Sequence, residues 1–320
     1  MAHAVETMAY AGETPWHGLG KRVLADLTPE QMLKEAGLDW EVQLLPTFVK
    51  LPWLKGKQVQ TADRALVRST DGSVLTTVGG RWHPTQNAEA FDVFHDFVMS
   101  GNMEMHTAGA LHNGKIVWAL AKIKDQTVEV VKDDVIENYM LFTNPHIFGR
   151  CIEYGQTAVR VVCQNTLRMA LSAGAGSMSR ITHRSAFDAE AVKSTMAASM
   201  QNLQNYRDAG KLLAKKKMKD ESYSEYLRRL FPVMGPNAKA ANEEGQMSRS
   251  AESVLKLLET QPGNQFARGS WWQGFNAVTF HLDHKYGRTQ DARVASAWYG
   301  PNRTLKQQAL ELATEYANAA

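Results

Sequence analysis

The sequence predicts an α+β chain: an antiparallel β-sheet with hairpins and packed helices in the N-terminal half, followed by a mainly helical C-terminal part. Three observations predict it. Alternating apolar runs in the first half are joined by Asp71-Gly72 and Asn113-Gly114, both favoured hairpin turns. From about Ser185 the apolar spacing lengthens, with Val192, Met196, Met200 and Leu203 following a helical period. Strands precede helices instead of alternating with them, which separates α+β from α/β. The expected division is a sheet-rich core over residues 1–184 and a helical region over 185–320 that packs on it. A loop or linker is expected near 232–248.

Taken in order, the first helix has the clearest boundaries. Thr28 supplies an N-cap, Pro29 suits the first helical position, Gln31 completes a capping box and Gly37 ends the helix. Residues 39–49 read as extended, with Trp40, Val42 and Leu44 on alternate positions. The runs DRALVRS and SVLTTV form one hairpin, and MEMHTAGAL and KIVWALAKI form another. Between them, Phe91, Phe94 and Val98 predict a helix over 87–99. TVEVV, YMLFT and TAVRVVC are further strands. In the second half, helices are predicted from about Ser185 to Leu213, then over 223–231, 251–258, 271–286 and 304–316. Trp272, Phe275, Thr279, Leu282 and Tyr286 share one face of the fourth of these. The stretch VMGPNAKAANEEGQMS has Gly, Pro and Asn without a period and reads as the linker.

Composition narrows the class. With 320 residues, 44% apolar content and eight Trp, the chain has ample material for a core and does not resemble a disordered protein. No window approaches 18 uninterrupted apolar residues, so no membrane partner is expected. The first residues lack the apolar core of a signal peptide, and two cysteines, Cys151 and Cys163, fit a reducing cytoplasm.

The chemistry-bearing motifs are mostly weak. Gly109 to Lys115 matches a phosphate-loop core, but Ile116 stands where a hydroxyl should hold magnesium, and a strand follows where a helix must begin. The hairpin is the better account. His281, Asp283 and His284 cluster on one predicted helix, while His17, His83, His146 and His183 are scattered along the chain. No metal and no cofactor are predicted from them. Cys163 ends a strand before Gln-Asn-Thr, where a helix N-terminus would activate a thiol. Its alternation with Val159 and Val161 places it instead on the apolar face, so no catalytic residue is assigned.

Local charge is more informative than the total of +3. Between residues 150 and 184 stand Arg150, Arg160, Arg168, Arg180 and Arg184 against one acid, Glu153. Between 206 and 229 stand Arg207, Lys211, Lys215, Lys216, Lys217, Lys219, Arg228 and Arg229 against four acids. Each window carries +4, which leaves −5 on the rest of the chain. Guanidinium forks and ammonium point charges suit phosphate oxygens, and Arg160 in an apolar strand needs a partner or solvent. Asn165 or Thr166 would cap a following helix, and the small residues of SAGAGSMS would admit a backbone. Tyr206, Tyr223 and Tyr226 interleave with the lysines as stacking platforms would. The competing account of Lys215 to Lys219 is a solvated helix end whose cations complement its dipole.

Thr14-Pro-Trp-His-Gly-Leu-Gly20 and Val159-Arg-Val-Val-Cys-Gln-Asn-Thr-Leu167 resemble the phage/plasmid-like family catalogued as domain of unknown function 932. Within these, Trp16, His17, Gly18, Gly20, Cys163, Gln164 and Asn165 carry the signature. Arg81-Trp-His-Pro-Thr-Gln-Asn87, Gly274-Phe-Asn-Ala-Val278 with Asp283-His284, and Trp298-Tyr-Gly300 are also similar. His146-Ile-Phe-Gly149 departs from the His-Asp-Gly-type segment usual in the family. The resemblance implies a mobile-element or bacteriophage origin. By fold-level analogy, the order of sheet then helices looks like phage single-strand annealing proteins, which act as rings or filaments of copies.

The function expected is binding of single-stranded DNA in phage or plasmid replication or recombination, in the cytoplasm of the host. The arginines of the first window, with Lys211, Lys215 to Lys219, Arg228 and Arg229, would form the track. One rival is a metal-assisted hydrolase of nucleotides or nucleic acid using some of His17, His83, His146, Asp283 and His284. Another is a phage protein that binds a host factor through Trp271-Trp272 or the PWHGLG segment.

Overall fold

The computed structural model describes residues 5–12, 19–160, 165–167, 178–199, 203–287, 296 and 301–319. The fold is α+β, as the patterning predicts. Strands β1 (Val5–Ala11), β2 (Lys21–Val23), β6 (Met103–Leu111), β7 (Ile116–Val131), β8 (Asp134–Pro145), β9 (Ile152–Arg160) and β10 (Asn165–Leu167) form one sheet in the order β10-β9-β8-β7-β6-β1-β2. An eighth strand, β11 (Ser179–Ile181), also pairs with β9. β1 runs parallel to β2, whereas the pairs β1–β6, β6–β7, β9–β10 and β9–β11 are antiparallel. A second sheet orders β3 (Val42–Leu51), β4 (Lys57–Arg68) and β5 (Val74–Val78).

Two compact units result. The first holds residues 1–125, 139–156 and 178–199, and the second 126–138, 157–177 and 200–320. The chain passes between them within β7, β8 and β9, between residues 177 and 178, and again near residue 200, whereas the change of period alone predicts one boundary at 184.

In the first unit, helix α1 (Pro29–Glu35) has the expected reciprocal capping box between Thr28 and Gln31. The β6–β7 hairpin turns through His112, Asn113 and Gly114, all at positive φ, so the phosphate-loop match is a turn. Gly109 admits no side chain, because a Cβ there would meet the Trp118 ring and the Thr7 carbonyl. The helix expected over 87–99 is two short ones, α2 (Asn87–Asp92) and α3 (His95–Met99). The break falls where Val93 and Phe94 are wholly buried and the Phe94 amide bonds back to Phe91. Helix α4 (Ala189–Ser199) buries Val192 and Met196, and its Lys193 pairs with Asp96 at 2.8 Å. Whether it continues through Met200 lies outside the described residues.

β3 and β4 pair in a hairpin that the patterning does not predict, because Lys57–Ala62 extend the strand of DRALVRS. It turns through a 3₁₀ segment, Pro52–Leu54, with Lys55 and Gly56 at positive φ. Strand β5 pairs with β4 only over Arg64–Val67, so residues 48–60 form a two-stranded ribbon. TVEVV is the end of β7 and forms no separate strand.

In the second unit, helices α5 (Leu203–Lys215), α6 (Asp220–Leu230), α7 (Ala238–Glu243), α8 (Arg249–Leu257), α9 (Trp271–Phe280) and α10 (Pro301–Ala319) build the core. The expected linker near 232–248 contains α7 and is pinned by Asn242, whose amide both donates to and accepts from the Val233 backbone. Helix α9 is buried from Trp271 to Thr279 on every side, not on one face. After Phe280 it widens into a π-helical turn, His281–Lys285, closed by the Tyr286 amide on the His281 carbonyl. Asn165–Leu167 are a strand paired with Ala158–Arg160, so neither Asn165 nor Thr166 caps a helix. The backbone groups that a cap would free are engaged in the sheet.

Candidate nucleic-acid interface

The structure sorts the predicted cations by what they already hold. Arg150, Arg180 and Arg184 belong to the first unit and are exposed. Arg180 pairs with Glu153 at 2.9 Å across the β9–β11 register. Arg160 lies at the end of β9, and its side chain, like the whole of Arg168, is outside the described residues. In the second unit Arg229 pairs with Glu315 at 3.1 Å and lies over the Tyr316 ring. Arg228 donates to the Gly245 carbonyl at 3.4 Å. These three cations are engaged inside the protein, and a phosphate would have to displace their partners.

The lysine cluster differs. Lys211 and Lys215 are exposed on α5, and Lys217 and Lys219 are exposed on the connection to α6. Lys216 is half-buried. Among the described residues no carboxylate pairs with any of the five. Their backbone is held in place: the Trp271 amide bonds the Lys216 carbonyl at 3.1 Å, the Met218 amide bonds Gly269 at 2.9 Å, and Lys217 bridges to Ser270. The exposed ammonium groups thus sit at the end of α5 and on a backbone-anchored connection, with their solvation and not an ion pair to give up.

Two expected platforms are core instead. Tyr223 and Tyr226 are buried, stacked on each other at 5.5 Å, with hydroxyls donating to Gly274 and Ala309 carbonyls. Burial without a countercharge pushes both phenols up. Their spacing follows the buried face of α6, which sequence interleaving with lysines cannot reveal. The Tyr206 side chain is outside the described residues. Trp271 and Trp272 are buried as well, the latter donating to Asp134 at 2.8 Å, so this pair offers no surface to a host factor.

The fold does gather three of the scattered histidines. His83 and His183 exchange contacts, the His83 amide to the His183 carbonyl at 2.8 Å and the His183 Nδ1 to the His83 carbonyl at 3.3 Å. Trp82 stacks on His183 at 4.2 Å. His146 is buried and bonds Asn87 Oδ1 through Nε2 at 3.0 Å, while Asn87 donates to Leu38 and Asn144 to Thr85. Desolvation, and then the His183 charge, hold the His146 imidazole down to about 3, so it is neutral. Burial also lowers His183. These contacts tie loops to strands. Asp283 is likewise occupied, by Lys306 at 2.6 Å, and His281 lies near Ser253. Among the described residues no three His, Cys, Asp or Glu side chains are placed to hold a metal ion.

Of the signature residues, Trp16, His17, Gly18, Cys163 and Gln164 lie outside the described residues, as do Trp298 to Gly300. Asn165 is described only by its place in β10. Gly20 has φ 101° beside Met8 and lines a cavity of about 390 Å³ with Val5, Leu19, Glu35 and Gly37. Cys151 is a free, half-buried thiol.

A family model described as Domain of unknown function (DUF932) matches residues 74–298, the greater part of the chain. The chain belongs to this family. No curated protein and no solved structure matches it. The DUF932 span includes the lysine cluster and the 81–87, 146–149 and 159–167 stretches, and it begins after the 14–20 signature. No helix among the described residues is long and apolar enough to cross a membrane.

One basic element was missed by counting charge in long windows, and it precedes the DUF932 span. The β3–β4 ribbon exposes Phe48, Val49, Trp53, Leu54 and Val59 together with Lys50, Lys55 and Lys57. No acid occurs between Val42 and Ala62. That acid-free run was the available signal. It stayed hidden because the extended reading ends at Val49 and assigns no element to residues 50–62.

Proposed function

We propose that this DUF932 protein binds nucleic acid, single strands in preference, in the replication or recombination of a phage or plasmid in the cytoplasm. The observation that supports the reading is the cluster Lys211, Lys215, Lys217 and Lys219, exposed and without carboxylate partners among the described residues. Cations in that state release counterions from a polyanion and give affinity without sequence reading. Arg184, exposed in the first unit, and Arg150, Arg160 and Arg168 are proposed as further phosphate contacts, each within its own unit. Arg180, Arg228 and Arg229 contribute less, because each already has a partner.

The test is fluorescence anisotropy of a labelled oligodeoxythymidine against salt. Log affinity should fall linearly with log salt, at about 0.7 per phosphate neutralised. Replacing Lys215, Lys217 and Lys219 by Gln should reduce that slope by about 2. Absence of binding by micromolar protein at about 50 mM salt refutes the proposal.

A further inference from the structure

We infer that the β3–β4 ribbon is a base-stacking arm, with Trp53 and Phe48 as the rings that receive unpaired bases. This rests on the nucleic-acid reading above and extends it to residues outside the lysine row. Trp53 is 76% exposed and Phe48 53%, large values for aromatic side chains in a folded hairpin. The ribbon is also well formed: Phe48 pairs with Gln60, Val49 with Val59, Lys50 with Gln58 and Leu51 with Lys57. The Gly56 amide closes the turn on the Leu51 carbonyl. The rings are therefore presented on a built scaffold.

Cross-strand pairs share a face, so the register sets the chemistry of each side. One face carries Phe48, Lys50, Gln58 and Gln60: a ring, a cation and two amides. That set stacks a base, neutralises a phosphate and hydrogen-bonds base edges, as recognition of unpaired nucleotides requires. The occupant must also be anionic, because the whole ribbon holds lysines and no acid. An acyl phase fits less well. Lys55 stands in the distal turn at φ 53°, and insertion of the tip would take its ammonium and the two glutamines out of water. A second copy would bring the same positive charge against itself.

The full chain is tested with Trp53→Ala, Phe48→Ala and the triple Lys50→Gln, Lys55→Gln, Lys57→Gln, after circular dichroism shows wild-type spectra. These side chains are solvent-exposed, so the fold should persist. Each ring variant should lose roughly 5- to 100-fold in oligodeoxythymidine affinity, the range one base–ring stack spans, with an unchanged salt slope. The lysine triple should instead flatten the slope by about 2. If wild type binds and both ring variants bind equally well, the arm is refuted while the lysine-row reading stands. If wild type fails to bind, that reading falls, and this inference with it. Two further outcomes overturn the arm when oligonucleotide affinity is unaffected. One is retention on phosphatidylserine vesicles that Trp53→Ala abolishes. The other is a sedimenting dimer that the same substitution dissolves.

Discussion

Replacing Lys306 by Met tests whether the polar pair under the π-helical turn is structural. Lys306 is 1% exposed and Asp283 6%, with Nζ 2.6 Å from Oδ1. Met keeps the unbranched stem and fills most of the same volume, so packing changes little. What changes is the carboxylate, which remains buried without its cation. Breaking such a pair from one side costs about 3–5 kcal/mol. Guanidinium unfolding monitored by Trp fluorescence reads this directly, since Trp271 and Trp272 lie in the core of the same unit. The double replacement Asp283→Leu with Lys306→Met removes both charges and should return to within about 1 kcal/mol of wild type. A cost below about 1 kcal/mol for the single variant would refute the reasoning, and so would a double variant worse than either single one.

Two more perturbations follow from the packing. His146 is held neutral down to about 3, against 6.5 in the unfolded chain. The unfolded state therefore binds the extra proton below pH 6.5. Stability is complete above 6.5 and falls as pH drops toward 3, by up to about 1.4 kcal/mol per unit for this group. His281, lowered to about 4 by burial, adds to the same limb. His146→Gln should flatten urea midpoints plotted between pH 6 and 4, and an unchanged slope would mean that the imidazole is not desolvated. Gly274→Ala places a Cβ 2.5 Å from the Met218 sulfur and 2.7 Å from the Tyr223 ring. Overpacking of this kind costs about 1–3 kcal/mol, and calorimetry should show a lower Tm.

Legibility from sequence followed the range of the interactions. Local signals held: the Thr28–Gln31 box, the Asp71-Gly72 turn and the Asn113-Gly114 turn are complete within a few residues. Signals that depend on partners far along the chain did not. The helix over 87–99 breaks at Val93 and Phe94, both wholly buried, and the hydroxyl of the buried Tyr226 is accepted by Ala309, 83 residues away. The same holds for charge. Arg229 counts as basic in its window, yet Glu315 pairs with it from 86 residues away. The ribbon was missed for another reason. The extended reading ends at Val49, and only the short reach of β5 shows that residues 48–60 bury neither face.

These distinctions bear on where affinity should reside. Within the DUF932 span the described motif residues are engaged in holding the fold: Trp82 on His183, Asn87 on Leu38 and His146, Asp283 on Lys306. A residue whose polar atoms already have partners gives up those bonds before it can bind a ligand, so it adds little net free energy. The exposed lysines have only water to exchange, and the ribbon's rings gain by leaving it. Substitutions in the motif stretches should therefore appear first as lost stability, with binding falling only as folded protein is lost. Substitutions at Lys215, Lys217, Lys219 or Trp53 should change binding at constant stability. Measuring both quantities on one set of variants separates the residues that make the fold from those that use it.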